Sequence, residues 1–136
     1  MKKISKYLWL GSLVFGLGLF ALGSTVLAAN PPSISGFSVS SISGNAGDFF
    51  EFTFSLSDDV GLESWSLSYG DGVSDSGSLG GISDLPNASS GHTYNVVGNY
   101  TATLSVTDTE GLSSSSSRSV TVKSVNSAPS VTSFSV

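Results

Sequence analysis

Three stretches of this chain alternate apolar and polar residues with a period of two, and no stretch of useful length carries a helical period. In residues 49–56, Phe50, Phe52, Phe54 and Leu56 share one face, and Glu51, Thr53 and Ser55 the other. Residues 64–69 set Trp65, Leu67 and Tyr69 against three serines, and residues 100–107 set Tyr100, Ala102, Leu104 and Val106 against Thr101, Thr103, Ser105 and Thr107. Such patterns predict strands with one face buried. Weaker candidates lie at residues 34–39, 79–82, 92–94 and 119–123, which brings the expected number to about seven. Asp58-Asp59-Val60-Gly61, Gly70-Asp71-Gly72, Val97-Gly98-Asn99 and Asp108-Thr109-Glu110-Gly111 read as the turns between them. The serine run at residues 113–117 reads as a flexible hairpin loop or a ragged edge. Short alternating strands without helices predict an all-β sandwich or barrel.

The first 28 residues stand apart. Lys2, Lys3 and Lys6 precede an apolar run that ends in small residues, the layout of a secretory signal peptide with its helical core. Val26 and Ala28 place the cut after Ala28, with a cut after Ala29 as the alternative. An uncleaved anchor is the competing reading, because residues 8–27 are about as long as the roughly 20 apolar residues that cross a bilayer. Both readings predict a protein outside the cytoplasm, secreted or held at the cell surface, with membrane contact only through residues 1–28 if they stay attached.

Beyond the leader, residues 29–33 form a Pro-containing linker, and one domain is expected over residues 34–125. Without the leader lysines, Arg118 and Lys123 face ten acidic residues, a net charge of −8. That balance argues against nucleic acid as a partner. Cysteine is absent, so no disulfide supports the core.

Residues 92–108, HTYNVVGNYTATLSVTD, resemble the signature of the polycystic kidney disease (PKD) repeat, in which an HTY step, a glycine turn and a YTVTLTVTD-like strand follow one another. Residues 65–72, WSLSYGDG, are similar to the family's YxWDFGDG segment, and Val120-Thr121-Val122 to its closing strand. Leu67, Ser68 and Tyr69 replace the family's Trp-Asp-Phe, and Asp59-Val60 its usual Asp-Gly pair; the portion SDDVGLESWSLSY also resembles other bacterial immunoglobulin-like modules. The resemblance implies an immunoglobulin-like β-sandwich, with Trp65, Gly70, Asp71, Gly72, His92, Tyr94, Gly98 and Tyr100 as its structural motif. It also implies a non-enzymatic extracellular module, often in tandem on surface proteins or attached to secreted hydrolases as spacer or substrate-contacting domain.

The residues themselves offer little catalytic chemistry. His92 is the only histidine, and neither a GxSxG elbow nor a HExxH helix occurs. His92 is expected to hydrogen-bond the Gly70-Asp71-Gly72 turn. Trp65, Tyr69, Tyr94 and Tyr100 are candidates for a sugar-stacking platform, but their alternation with Leu67 and Leu104 assigns most of them to the core. Asn87-Ala88-Ser89 and Asn99-Tyr100-Thr101 match a glycosylation sequon that also arises by chance. No cofactor is required. Calcium is the one candidate ligand, since sandwich topology brings the turns carrying Asp58, Asp59, Asp108 and Glu110 to one end. Ordinary turn chemistry of Asp is the alternative for these four.

Residues 126–136, NSAPSVTSFSV, repeat the pattern of residues 30–39, NPPSISGFSV, with Pro32 and Pro129, Phe37 and Phe134, and Val39 and Val136 each 97 residues apart. They read as a linker and the first strand of a truncated second repeat, or as a tail folded back on the domain's edge. Two functions follow: a spacer or adhesion module within a monomeric domain or tandem array, and a polysaccharide- or polymer-binding accessory of a secreted hydrolase. An extracellular protein or a polysaccharide is the expected partner.

Overall fold

The computed structural model describes residues 29–126, 129–130 and 132–133. Residues 1–28, expected to be a leader, and most of residues 126–136, expected to open a second repeat, lie outside the described residues. Within them the chain forms six strands and no helix: β1 (Ser33–Val39), β2 (Ser43–Asn45), β3 (Phe49–Ser68), β4 (Ser74–Thr93), β5 (Gly98–Asp108) and β6 (Ser113–Lys123).

β3 and β4 are each 20 residues long, and both bend from one layer of the sandwich into the other. In the first layer, residues 49–57 of β3 lie between β1 and the second half of β4. In the second, residues 62–68 of β3 lie between the first half of β4 and β5, and the sheet continues through β6 to β2. All contacts are antiparallel except β2 with β6.

Six strands replace the seven expected. The turn signal at residues 58–61 does not end a strand, because Asp58 Oδ2 accepts the amides of Val60 (2.9 Å) and Gly61 (2.8 Å) and carries the chain round a bulge while pairing resumes at Leu62. The fragment at residues 79–82 and the first two residues of the fragment at 92–94 merge into β4, paired along β3. The serine run is not a loop. Each residue from Ser113 to Ser117 pairs with a residue of β5, so the ladder supplies backbone partners that serine's weak strand preference does not.

The core lies where the halves of β3 face each other across the layers. Phe50, Phe52, Phe54 and Leu56 are buried against Leu67, Tyr69, Leu104 and Val106, with the Phe52 and Tyr69 rings 5.5 Å apart. Each such side chain contributes about 1.5–3 kcal/mol through burial. From β1, Phe37 closes the same core, stacked 6.3 Å from Phe52 and covered by the Arg118 guanidinium at 5.5 Å.

Candidate functional site

The chemistry-bearing side chains gather at the two ends of the sandwich. At one end, β3 and β4 are joined by the turn Gly70-Asp71-Gly72, whose first glycine adopts φ +87° against the backbone of Thr101. A Cβ there would come within 2.7 Å of the Thr101 carbonyl, so only glycine lets the turn close on β5. Asp71 Oδ1 accepts the Val73 amide at 3.1 Å, and its Oδ2 lies 2.7 Å from His92 Nε2. The imidazole stacks on Tyr69 at 4.2 Å and meets Tyr94 edge-on at 4.6 Å. Tyr94 donates to the Tyr69 carbonyl at 2.8 Å and stacks on Tyr100 at 4.4 Å. Gly98 pairs with Val122 at the start of β5, beside the Tyr100 ring.

The same network shifts the titration of Asp71, Tyr69 and Tyr94. Burial pushes the Asp71 carboxyl up, but the hydrogen bond to His92, with the Val73 amide, outweighs it and leaves the group below its ordinary value. Burial pushes the Tyr94 phenol up to about 12, with the negative charge of Asp71 adding to the effect. Tyr69 moves the same way for the same first cause. His92 has its Nε2 engaged and both neighbouring rings in contact. Ser90 bonds Tyr69 Oη (2.7 Å) and Asp75 Oδ2 (2.5 Å). Serine, histidine and carboxylate are therefore close in space and each serves a structural bond. Sequence reasoning missed Ser90 and Asp75, whose signal is hidden in an edge strand without periodicity.

The other end carries Asp58, Asp59, Asp108 and Glu110. The two turns do meet: Leu62 pairs with Asp108, and the Thr109 amide donates to the Gly61 carbonyl at 2.9 Å. The carboxylates do not gather with them. Asp58 holds its own bend, Asp59 accepts from Asn30 Nδ2 at 3.1 Å, and Asp108, 1% exposed, takes the amides of Glu110 and Leu112 on Oδ1, both at 2.8 Å. Asp108 Oδ2 is buried without a partner. Among the described residues, no three His, Cys, Asp or Glu side chains stand together as a metal set.

The stacking platform does not form either. Tyr69 and Tyr94 are buried, while Trp65 and Tyr100 are only partly covered.

The two-layer sandwich is the arrangement the PKD resemblance implied, and the His92 bond to the Gly70-Asp71-Gly72 turn is the one expected of that histidine. The PKD domain family matches residues 30–123. The chain belongs to the PKD-domain family. Among solved structures, the PKD domain of an M14-like peptidase from Thermoplasmatales archaeon SCGC AB-540-F20 is similar, at 23% identity and a TM-score of 0.53 over 69% of this chain and 94% of that one. The PKD1 domain of Vibrio anguillarum Epp gives 20% identity and 0.53 over 71% and 99%. A structure described in connection with the promiscuous specificity of carbohydrate-binding modules of the β-sandwich superfamily gives 22% and 0.56 over 71% of this chain and 36% of that one. No curated protein matches. Within this PKD domain, the motif residues hold the turn and the stacked rings together.

Proposed function

We propose that the chain is a non-catalytic extracellular module, a spacer or adhesion element of a secreted or cell-surface protein. The observation that carries this reading is the use of its few reactive side chains: His92, Ser90, Asp71 and Asp75 are all spent on one structural network within a PKD fold. The leader at residues 1–28 supports export, and the 97-residue repeat supports a tandem array. Expression of the full chain in a bacterial host tests it. A processed chain starting at Ala29 or Asn30, or an anchored one accessible from outside, is expected. An intact chain confined to the cytoplasm overturns it.

A second reading is contact with a polysaccharide. Its support is the neighbour described in terms of carbohydrate-binding modules and the uncharged hydroxyl face of the larger layer. A divalent cation at the acidic end is a proposal of the same kind. It is supported by the adjacency of the two turns and by the unpartnered Oδ2 of Asp108, and it requires the other carboxylates to turn toward that oxygen, a rearrangement expected to leave binding weak.

A further inference from the structure

The chain enters and leaves this sandwich at opposite ends. Asn30 bonds Asp59 and Ser33 pairs with Ser57, so entry is beside the acidic turns. Lys123 closes β6 at the end that carries His92, where its carbonyl accepts the Ala46 amide at 2.9 Å. Copies of this module strung along one chain therefore meet head to tail, the His92 end of one facing the acidic end of the next.

Exposed apolar side chains mark those two ends. At the His92 end the Gly47 amide donates to the Tyr94 carbonyl at 2.8 Å, Gly98 pairs with Val122, and Phe49 pairs with Thr93. These contacts draw together Phe49, Val96 and Val125, which are 68%, 66% and 62% exposed. Val97 and, next to the Gly70-Asp71-Gly72 turn, Val73 are exposed at the same end. Val60, Ile82 and Leu112 are exposed at the acidic end, around the pairs that Leu62 makes with Ile82 and Asp108. Among the described residues, Ile42 is the one exposed large apolar side chain away from the ends. Between them, β5 and β6 face solvent almost wholly with serine and threonine. A single exposed apolar residue needs no partner, but a group gathered at one end marks a contact surface.

Charge and spacing point to what covers it. Lys123, one of two cations in residues 29–136, is exposed at the His92 end, whereas Asp59 and Glu110 are exposed at the other. In the 97-residue period Ser127 stands in the place of Asn30, so Ser124, Val125 and Asn126 alone separate β6 from the start of the next repeat. The four steps from Lys123 to Ser127 span at most about 14 Å. That is close enough for side chains of the facing ends to touch.

We propose that the His92 end is a docking surface for the acidic end of a following module of the same kind, with Phe49, Val96, Val97 and Val125 as its apolar centre and Lys123 at its rim. The inference rests on the tandem-array reading above and adds to it a fixed junction in place of a flexible string. Burial of the apolar side chains drives the contact. Lys123 sets its direction, since two acidic ends repel each other. A head-to-tail contact does not close on itself, so separate copies meet weakly, whereas a short connection raises the effective concentration to roughly millimolar.

The test is a tandem protein in which residue 126 of one copy is followed by residue 30 of a second, the spacing that the period dictates. Residues 29–126 supply all six strands and the whole core of each copy. The tandem is expected to melt at least about 4 °C above the single copy, the shift that a modest added contact produces in a domain of this size. In NMR relaxation it should tumble as one elongated body. Val96→Ser with Val97→Ser in the first copy should abolish both effects. The same pair in the second copy, whose His92 end is free, should leave them in place, which separates docking from any loss of stability within a module. Lys123→Glu in the first copy should reduce the gain, and a Gly-Ser insertion of about ten residues after residue 126 should remove it. The proposal is overturned by a tandem that melts with the single copy and tumbles as two independent bodies, by a gain that survives the first-copy valine substitutions, or by one lost equally from either copy. These outcomes read the fit of the two ends. Whether the natural protein is an array is read separately, from the repeats that its gene encodes.

Discussion

Aspartate does different work at the two ends of the sandwich. At the acidic end Asp58 and Asp108 receive backbone amides two to four residues away, so each turn is built from its own short sequence. At the other end Asp71 reaches His92 across 21 residues and Asp75 reaches Ser90 across 15. Those bonds exist only once β3 and β4 have paired. The contrast separates turns that shape the chain locally from a network that registers closure of the whole fold. It explains why identical residue types signal a turn in one place and a family motif in another.

The largest effect is expected at Asp108. Asp108→Ala leaves the amides of Glu110 and Leu112 without their acceptor in a covered site, a loss of about 2–4 kcal/mol. Asp108→Asn keeps an oxygen in the Oδ1 position and removes only the oxygen that bonds nothing, so it should cost about 1 kcal/mol or less. Urea melts of both variants decide this. Equal losses would mean that the negative charge matters more than the acceptor, and the local character of this end would be lost.

Tyr94 tests the other end. Tyr94→Phe removes the bond to the Tyr69 carbonyl and should cost about 1–2 kcal/mol. It should also change the alkaline limb. The folded phenol titrates at about 12, above its ordinary value of 10.0, so its contribution is complete below pH 10 and is lost as pH rises from 10 to 12. Thermal melts across that window should fall more steeply for the parent than for the variant. Parallel curves would show that the phenol is not held as described.

A smaller effect is expected at Asp71, whose hydrogen bond with His92 stands near the surface and is worth about 1 kcal/mol or less. Its carboxyl sits below the ordinary value, so its contribution is present above the unfolded carboxylate's titration and is lost as pH falls through the folded one. The stability gap between parent and Asp71→Asn should therefore close in the acid range, below about pH 4. A gap that persists there in denaturation curves assigns the effect to packing of the turn.

The same division governs what was legible in the sequence. β5 and the halves of β3 were readable because one face of each is buried, and burial on one face imposes the period of two. β4 was not. It lies at the edge of both layers with most of its side chains exposed, so nothing constrains alternate positions. The serines of β6 hide a strand because their order comes from the β5 ladder rather than from their own side chains. His92 and Asp71 were accessible through a family resemblance. Ser90 and Asp75 were not, since they meet only through the register of an edge strand that the pattern does not announce.

The smallest expected effect is that of calcium, and it tests the comparison most directly. Four carboxylates at one end would attract a hard cation if their oxygens were free and convergent. In this fold Asp58 and Asp108 are already bound to amides, and Asp59 is turned to Asn30. Among the described residues no three carboxylates stand together, so a cation must draw the two turns into a new arrangement before it can gather enough oxygens, and that rearrangement offsets metal binding. Calorimetry of residues 29–136 with calcium should accordingly show little heat, and the melting temperature should rise by less than about 1 °C near millimolar ion, because stabilisation grows only with the ratio of ligand to dissociation constant. A rise of several degrees that disappears in Asp59→Asn would show the turns rearranging around an ion, and would make the acidic end the long-range device and the His92 end the static one.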